Sequence, residues 1–180
     1  MLRFLASYSN VKAMTPKLII SHLATTSTLL TYDFVFFGGG QDFEQTVVAK
    51  DLPRHKETLE KYINSDKPML CICGGYQLMG SYYKTNSGVT IPGLDILPLH
   101  TVFKSDKRMI GDTRYMTEWG EVKAFENHSG QTYFDNKDKL HPLGDMIEGY
   151  GNNPQDHVEG LRYRNLSVHT HTAHFLKTLM

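Results

Sequence analysis

Two short apolar runs, each stopping abruptly at glycines, constrain this chain more than any other feature. Residues 32–37 read YDFVFF and end on Gly38-Gly39-Gly40. Pro68 to Ile72 is a second such run, followed after Cys73 by Gly74-Gly75. An apolar run of this length that delivers the chain to glycines predicts a buried strand entering a tight loop. Between the two, Asp51 to Asn64 carries Leu52, Leu59, Tyr62 and Ile63 at helical spacing with charges between them, and Asp51 is placed to cap the start. A helical pattern resumes over Tyr76 to Tyr83. Strand, helix, strand, helix predicts a parallel α/β sheet with flanking helices.

The remainder is less regular. Val89 to Leu97, Met109 to Met116 and Glu121 to Glu126 are short pieces broken by glycine, proline and asparagine, expected as strands and turns of the sheet's later half. Gly149 to Pro154 is a loop by composition, and Leu161 to Leu166 is expected as one more strand. Residues 25–31 and 167–180 show no period. The 180 residues, 40% hydrophobic and 21% charged, suffice for one domain, expected over 1–180. With 19 basic and 19 acidic side chains, the electrostatic footprint of a nucleic-acid or anionic-membrane binder is missing, and neither partner is expected. No apolar run approaches the roughly 20 residues that span a bilayer, so no membrane insertion is expected. Met1 to Ala6 is too quickly polar for a signal peptide. Cys71 and Cys73 are separated by one residue, too close to close a useful disulfide loop, and the cytoplasm is the default compartment.

Cys73 carries the chemistry. It occupies the predicted strand-to-helix turn, where a sharp bend exposes a side chain and an adjacent glycine leaves room for substrate. The helix that follows aims amides and dipole at the sulfur, so the thiol is expected below about 8.5. If the two glycine-ended strands are neighbours, their loops meet at one sheet edge. Amides of Gly39 or Gly40, together with that of Gly74, then converge on a carbonyl oxygen as an oxyanion hole. For Cys71, inside the strand, a buried apolar role is expected. No metal site is expected, because Cys-x-Cys lacks a second ligand pair.

The run Cys73-Gly74-Gly75-Tyr76-Gln77 resembles the nucleophile segment of the class I glutamine amidotransferases. FFGGGQDFEQ (36–45), CGGYQLMG (73–80), Arg108 in KRMIGD and FENHSGQTYF (125–134) resemble more closely the cobyric-acid-synthase-like branch, and within it the GatD-type glutaminase subunits of lipid II isoglutaminyl synthase. The match covers about residues 32–165. It implies a three-layer, flavodoxin-like, mostly parallel sheet, and hydrolysis of L-glutamine to glutamate and ammonia. It further implies a Mur-ligase-like (MurT-type) partner that uses ATP and Mg to amidate D-glutamate of lipid II, with no cofactor in this subunit. The place of action is the cytoplasm, at the inner membrane face through the partner's lipid II. Carried over by motif, Cys73 forms a γ-glutamyl thioester, Arg108 holds the substrate α-carboxylate, and Gly39, Gly40, Gly74 and Gln77 line the substrate site. His128 falls in a motif of the branch and is assigned no catalytic role. A catalytically impaired fragment serving as an interaction module, and a cobyric acid synthase-type amidotransferase, are the alternatives.

The family's histidine follows a G-x-x-Y-x-N strand in a segment like FGTYxHGP. Here Gly160-Leu161-Arg162-Tyr163-Arg164-Asn165 is followed by LSVHTHTAHFLKTLM, and His171 takes the nearest position. Leu166 to Met180 can be encoded by codons that read FGTYTHGPFLKNPN in another frame. The expectation is a frameshift near Leu166 in a chain short at both ends.

Overall fold

A computed structural model describes residues 29–104, 108–136 and 138–170, together with two antiparallel two-residue strands, β1 (Phe4–Leu5) and β2 (Leu18–Ile19). The first apolar run becomes β3 (Val35–Phe37) and the second becomes β4 (Met69–Ile72). They pair in parallel, with Val35 opposite Met69 and Phe37 opposite Cys71. All four residues of β4 are buried, as a strand flanked on both edges and covered on both faces requires.

The connection between them differs from the expected single helix. A first helix, α1 (Asp42–Asp51), precedes a 3-10 turn (Leu52–His55), and a second helix, α2 (Lys56–Asn64), follows. Pro53 lacks the amide an uninterrupted helix would use, and the break falls there. Asp51 makes no side-chain cap; its carboxylate instead accepts from Arg54 at 2.8 Å. The predicted apolar positions are nevertheless the packed ones: Leu52, Leu59, Tyr62 and Ile63 are all buried. Burial of each contributes on the order of 2 kcal/mol.

After β4 the helix is short. The third helix, α3 (Gly74–Met79), ends at Gly80, and the remainder of the expected helix is instead β5 (Tyr82–Lys84). The close approach of Gly80 to Leu99 explains the stop, since a Cβ there would lie 2.6 Å from the Leu99 carbonyl oxygen. Strand β5 pairs with β6 (Thr90–Pro92) and with β7 (Leu99–Phe103), which pairs in turn with β10 (Gly130–Phe134).

The later pieces do not extend the parallel sheet. Strands β8 (Met109–Thr117) and β9 (Gly120–His128) form a long antiparallel hairpin joined by β11 (Gly144–Glu148) and β12 (Val158–Glu159). The reason is their alternating pattern. Met109, Thr113 and Tyr115 are buried while Ile110, Asp112 and Met116 are exposed, which suits a sheet with one wet face and not a doubly covered one. The last predicted strand is likewise two: β13 (Leu161–Tyr163) turns at Arg164, whose φ is 54°, into β14 (Leu166–His169). Strand β14 adds to β4 in parallel, giving the order β13-β14-β4-β3. Residues 167–169, patternless in sequence, therefore sit beside the central strand. Among the described residues no helix is long and apolar enough to cross a membrane.

Candidate active site

The C-terminal ends of β3, β4 and β14 open on one edge of the sheet, and Cys73 stands there, one residue past β4. Its backbone is at φ 51° and ψ −113°, a region a side chain-bearing residue rarely occupies. Such a conformation costs on the order of 1–3 kcal/mol and persists only where surrounding bonds enforce it. Here the Cys73 N–H donates to the His169 carbonyl at 2.8 Å, and the Cys73 carbonyl accepts from Gln77 N–H at 3.1 Å. The strand-to-helix elbow read from the sequence is thus present.

The two glycine loops meet at that sulfur. A Cβ on Gly39 would lie 2.9 Å from Cys73 Cβ and 3.4 Å from its Sγ, and one on Gly74 would lie 3.0 Å from the Gly40 amide nitrogen. Gly75 packs closer still, with a virtual Cβ 2.2 Å from the Phe37 carbonyl oxygen. Gln45 ties the loops together: its Nε2 donates to the Gly40 carbonyl at 3.1 Å and to Gln77 Oε1 at 2.9 Å. Gln77 is therefore occupied in holding the Gly40 loop while also lining the cleft.

A cleft of about 730 Å³ lies over Cys73, bordered by Gly39, Gly40, Gln45, Gln77, Tyr83 and Arg108. Arg108 enters from the far side on the segment before β8. Its Nε donates to Asn127 Oδ1 and its Nη2 to the Asn127 carbonyl at 3.3 Å, so strand β9 orients the guanidinium. Gly74 does not border the cleft, but its amide hydrogen-bonds to Cys73.

The thiol's electrostatics differ from the expectation. Burial pushes the Cys73 thiol up; the Gly74 amide and the Arg108 charge pull it down, and Asp42 adds to the rise. Desolvation is the largest of these influences and outweighs the Gly74 amide and the Arg108 charge. Cys71, fully buried in β4, is pushed well up by desolvation alone, in keeping with an inert role.

His171 lies outside the described residues. Directly before it, Thr170 is fixed by the buried Glu159, whose carboxylate accepts from the Thr170 N–H at 2.7 Å and from its hydroxyl at 2.6 Å. His169 is buried with Nδ1 3.4 Å from the Tyr115 hydroxyl. Among the described residues no group of three or more His, Cys, Asp or Glu side chains is arranged to hold a metal ion.

Comparison with known proteins decides the family. A model of the CobB/CobQ-like glutamine amidotransferase domain matches residues 1–177. The chain belongs to this family. It is 44% identical over 137 residues to the lipid II isoglutaminyl synthase (glutamine-hydrolyzing) subunit GatD of Streptococcus pneumoniae, a match covering 75% of the chain and 52% of that protein. To the subunit of the same name in Staphylococcus aureus it is 42% identical over 135 residues, covering 74% of the chain and 54% of that protein. A cobyric acid synthase of Prochlorococcus marinus is 27% identical over 158 residues, covering 77% of the chain and 31% of that protein. The chain thus spans about half the length of the two GatD relatives. In fold it is similar to a glutamine amidotransferase crystal structure at TM-score 0.59 and 11% identity, over 83% of this chain and 75% of that one. A glutamine amidotransferase from Thermotoga maritima matches at TM-score 0.54 and 13% identity, over 80% of this chain and 57% of that one.

Within this amidotransferase domain, sequence reasoning missed Gln45, Tyr83 and Asn127 as site residues. Gln45 was legible only as the end of the FFGGGQDFEQ run, because its partner Gln77 is 32 residues away. Asn127 adjoins His128 in the FENH segment, but nothing in its spacing shows that it holds Arg108.

Proposed function

We propose that this amidotransferase-family chain is a single domain that hydrolyses L-glutamine and delivers ammonia to a Mur-ligase-like, MurT-type synthetase, which amidates D-glutamate of lipid II on the cytoplasmic side of the membrane. The observation that carries the reading is Cys73 at a strained elbow, in contact with the Gly39 loop, beneath a cleft that Arg108 borders. A thiolate there is placed to attack the γ-carboxamide carbon of a glutamine whose α-carboxylate pairs with the Arg108 guanidinium, a fork suited to two oxygens. Amides of the Gly39–Gly40 loop and of Gly74 stabilise the tetrahedral oxyanion. The C–N bond then breaks, the nitrogen leaves as ammonia with one added proton, and water hydrolyses the γ-glutamyl thioester to glutamate and free thiol. His171 is the proposed base.

Greater identity to the GatD subunits than to the cobyric acid synthase favours lipid II over cobyric acid as the acceptor pathway. The test is glutamate release from glutamine by the chain mixed with a MurT-type synthetase, ATP and Mg. Release that disappears with Cys73→Ala supports the proposal; release that survives it overturns it. The departure of residues 166–180 from the family segment favours a second reading, a subunit that binds the synthetase without hydrolysing glutamine. A silent native chain, alongside an active one rebuilt to read FGTYTHGPFLKNPN from position 166, would establish that reading.

A further inference from the structure

A free amino acid at neutral pH carries two opposite charges, so a cleft that takes its α-carboxylate must also receive its α-ammonium. Enclosing an ammonium without an acceptor is costly, and a carboxylate is the acceptor that offsets its charge. Among the described residues that border the cleft over Cys73, Asp42 is the one carboxylate. Neutral oxygens on the same wall are partly committed: Gln77 Oε1 accepts from Gln45, and Asn127 Oδ1 accepts from Arg108. Asp42 is the first residue of α1, one residue beyond the Gly38–Gly40 loop and Gln41. Its side chain is exposed, and among the described residues it forms no salt bridge.

Tyr83 holds Asp42 at the cleft. It stands on β5, is 4% exposed, and its hydroxyl hydrogen-bonds the Asp42 side chain. Burial pushes that hydroxyl up, Asp42 and Cys73 add to the rise, and the Arg108 charge opposes it. One hydroxyl thus has the nucleophile and both charged side chains around it. The dipole of α1 favours an acidic residue in its first turn whatever the function. That accounts for a carboxylate at position 42, but not for its bond to Tyr83 on a separate strand or for its place on the wall of the cleft.

We propose that Asp42 receives the α-ammonium of the bound glutamine while Arg108 takes its α-carboxylate, so that the site selects the free amino acid over an amide that lacks a charged amino group. The assignment rests on glutamine being the substrate. Three substituents of the α-carbon then meet three different groups: the carboxylate meets Arg108, the ammonium meets Asp42, and the side chain runs toward Cys73. Fixing all three sets where the γ-carboxamide carbon lies relative to the sulfur. A glutamine joined through its nitrogen in a peptide has no ammonium and would leave the Asp42 carboxylate covered and unpaired. A site built to bond a polar group rejects the analogue without it for that reason.

The test compares ammonia release from L-glutamine and from 4-carbamoylbutanoate, which is glutamine without its amino group, by the chain mixed with a MurT-type synthetase, ATP and Mg. The native chain is expected to prefer glutamine at least tenfold in kcat/KM; equal values would overturn the assignment without any variant. Asp42→Asn is expected to raise KM for glutamine about tenfold and to narrow the preference by about the same factor, the low end for a charge-assisted bond because the side chain is exposed. A loss that falls equally on both compounds marks a structural role and would overturn it, as would an unchanged KM for glutamine. Calorimetry on Cys73→Ala needs no turnover: adding Asp42→Asn to it should raise the Kd for L-glutamine about tenfold, and an unchanged Kd refutes the contact. Asp42-dependent glutamine binding in a native chain that releases no ammonia would overturn the hydrolytic reading and leave this assignment standing; ammonia release with an unaltered preference in Asp42→Asn would do the reverse.

Discussion

Gly39→Ala isolates the positioning of the oxyanion loop from the integrity of the fold. Gly39 is not among the glycines at positive φ, so alanine meets no backbone penalty there and the perturbation is steric. Its new methyl would sit 2.9 Å from Cys73 Cβ, about half an ångström short of ordinary van der Waals contact. Cys73 cannot yield, because its backbone is bonded to His169 and Gln77 on either side. The Gly38–Gly40 loop must therefore retreat by about that half ångström. Misplacing a reacting group by about 1 Å costs on the order of 100-fold, so half of that is expected to cost about tenfold in kcat/KM, roughly 1.4 kcal/mol of transition-state stabilisation. The assay is glutamate release coupled to glutamate dehydrogenase, with the synthetase present and with thermal unfolding measured in parallel. The expected result is the tenfold loss with Tm within about 3 °C of the native chain, since the methyl meets the elbow and not the core. An undiminished kcat/KM in Gly39→Ala, beside a silent Cys73→Ala, would refute the view that this loop bears on the reacting carbonyl.

Three further outcomes follow from the same geometry. Arg108→Lys replaces a fork with a point charge and is expected to raise KM for glutamine about tenfold with little change in kcat, read from initial rates; a loss confined to kcat would contradict a carboxylate-binding role. Glu126→Ala removes the carboxylate that takes the Tyr150 and Gly151 amides, at a side chain 1% exposed, and is expected to cost about 3 kcal/mol. That is about 1.5 M off the urea midpoint, and a shift under 0.5 M would contradict it. Finally, a thiol pushed up by burial keeps its proton to higher pH, so its thiolate fraction at neutral pH is below that of free cysteine. Iodoacetamide should therefore modify Cys73 more slowly than N-acetylcysteine at pH 7, with a midpoint above that of the free thiol, while Cys71 stays unmodified until the chain unfolds.

Parts of this architecture were legible because the local signals and the packing agree. Tyr62 and Ile63 fall on the helical period and are buried; Met69 to Ile72 is a pure apolar run and is the central strand. Other parts were hidden because packing overrode the pattern. Helix α1 carries Phe43 and Val47 on its outside, 76% and 53% exposed, so its apolar residues mark no inward stripe. Residues 166–169 carry two polar side chains, Ser167 and His169, and still form the strand beside β4, because hydrogen bonds to β4 and the bond from Cys73 N–H to the His169 carbonyl fix them.

The sequence by itself determined that two buried strands end on glycines, that a cysteine follows the second, and which family carries that pattern, since these are local properties of composition and order. Only the tertiary structure decided that the glycine loops touch at the sulfur, that Gln45 locks them and that Asn127 aims Arg108. Each of those contacts joins residues distant along the chain. Their energies depend on ångström distances and on exclusion of water, neither of which spacing along a sequence encodes.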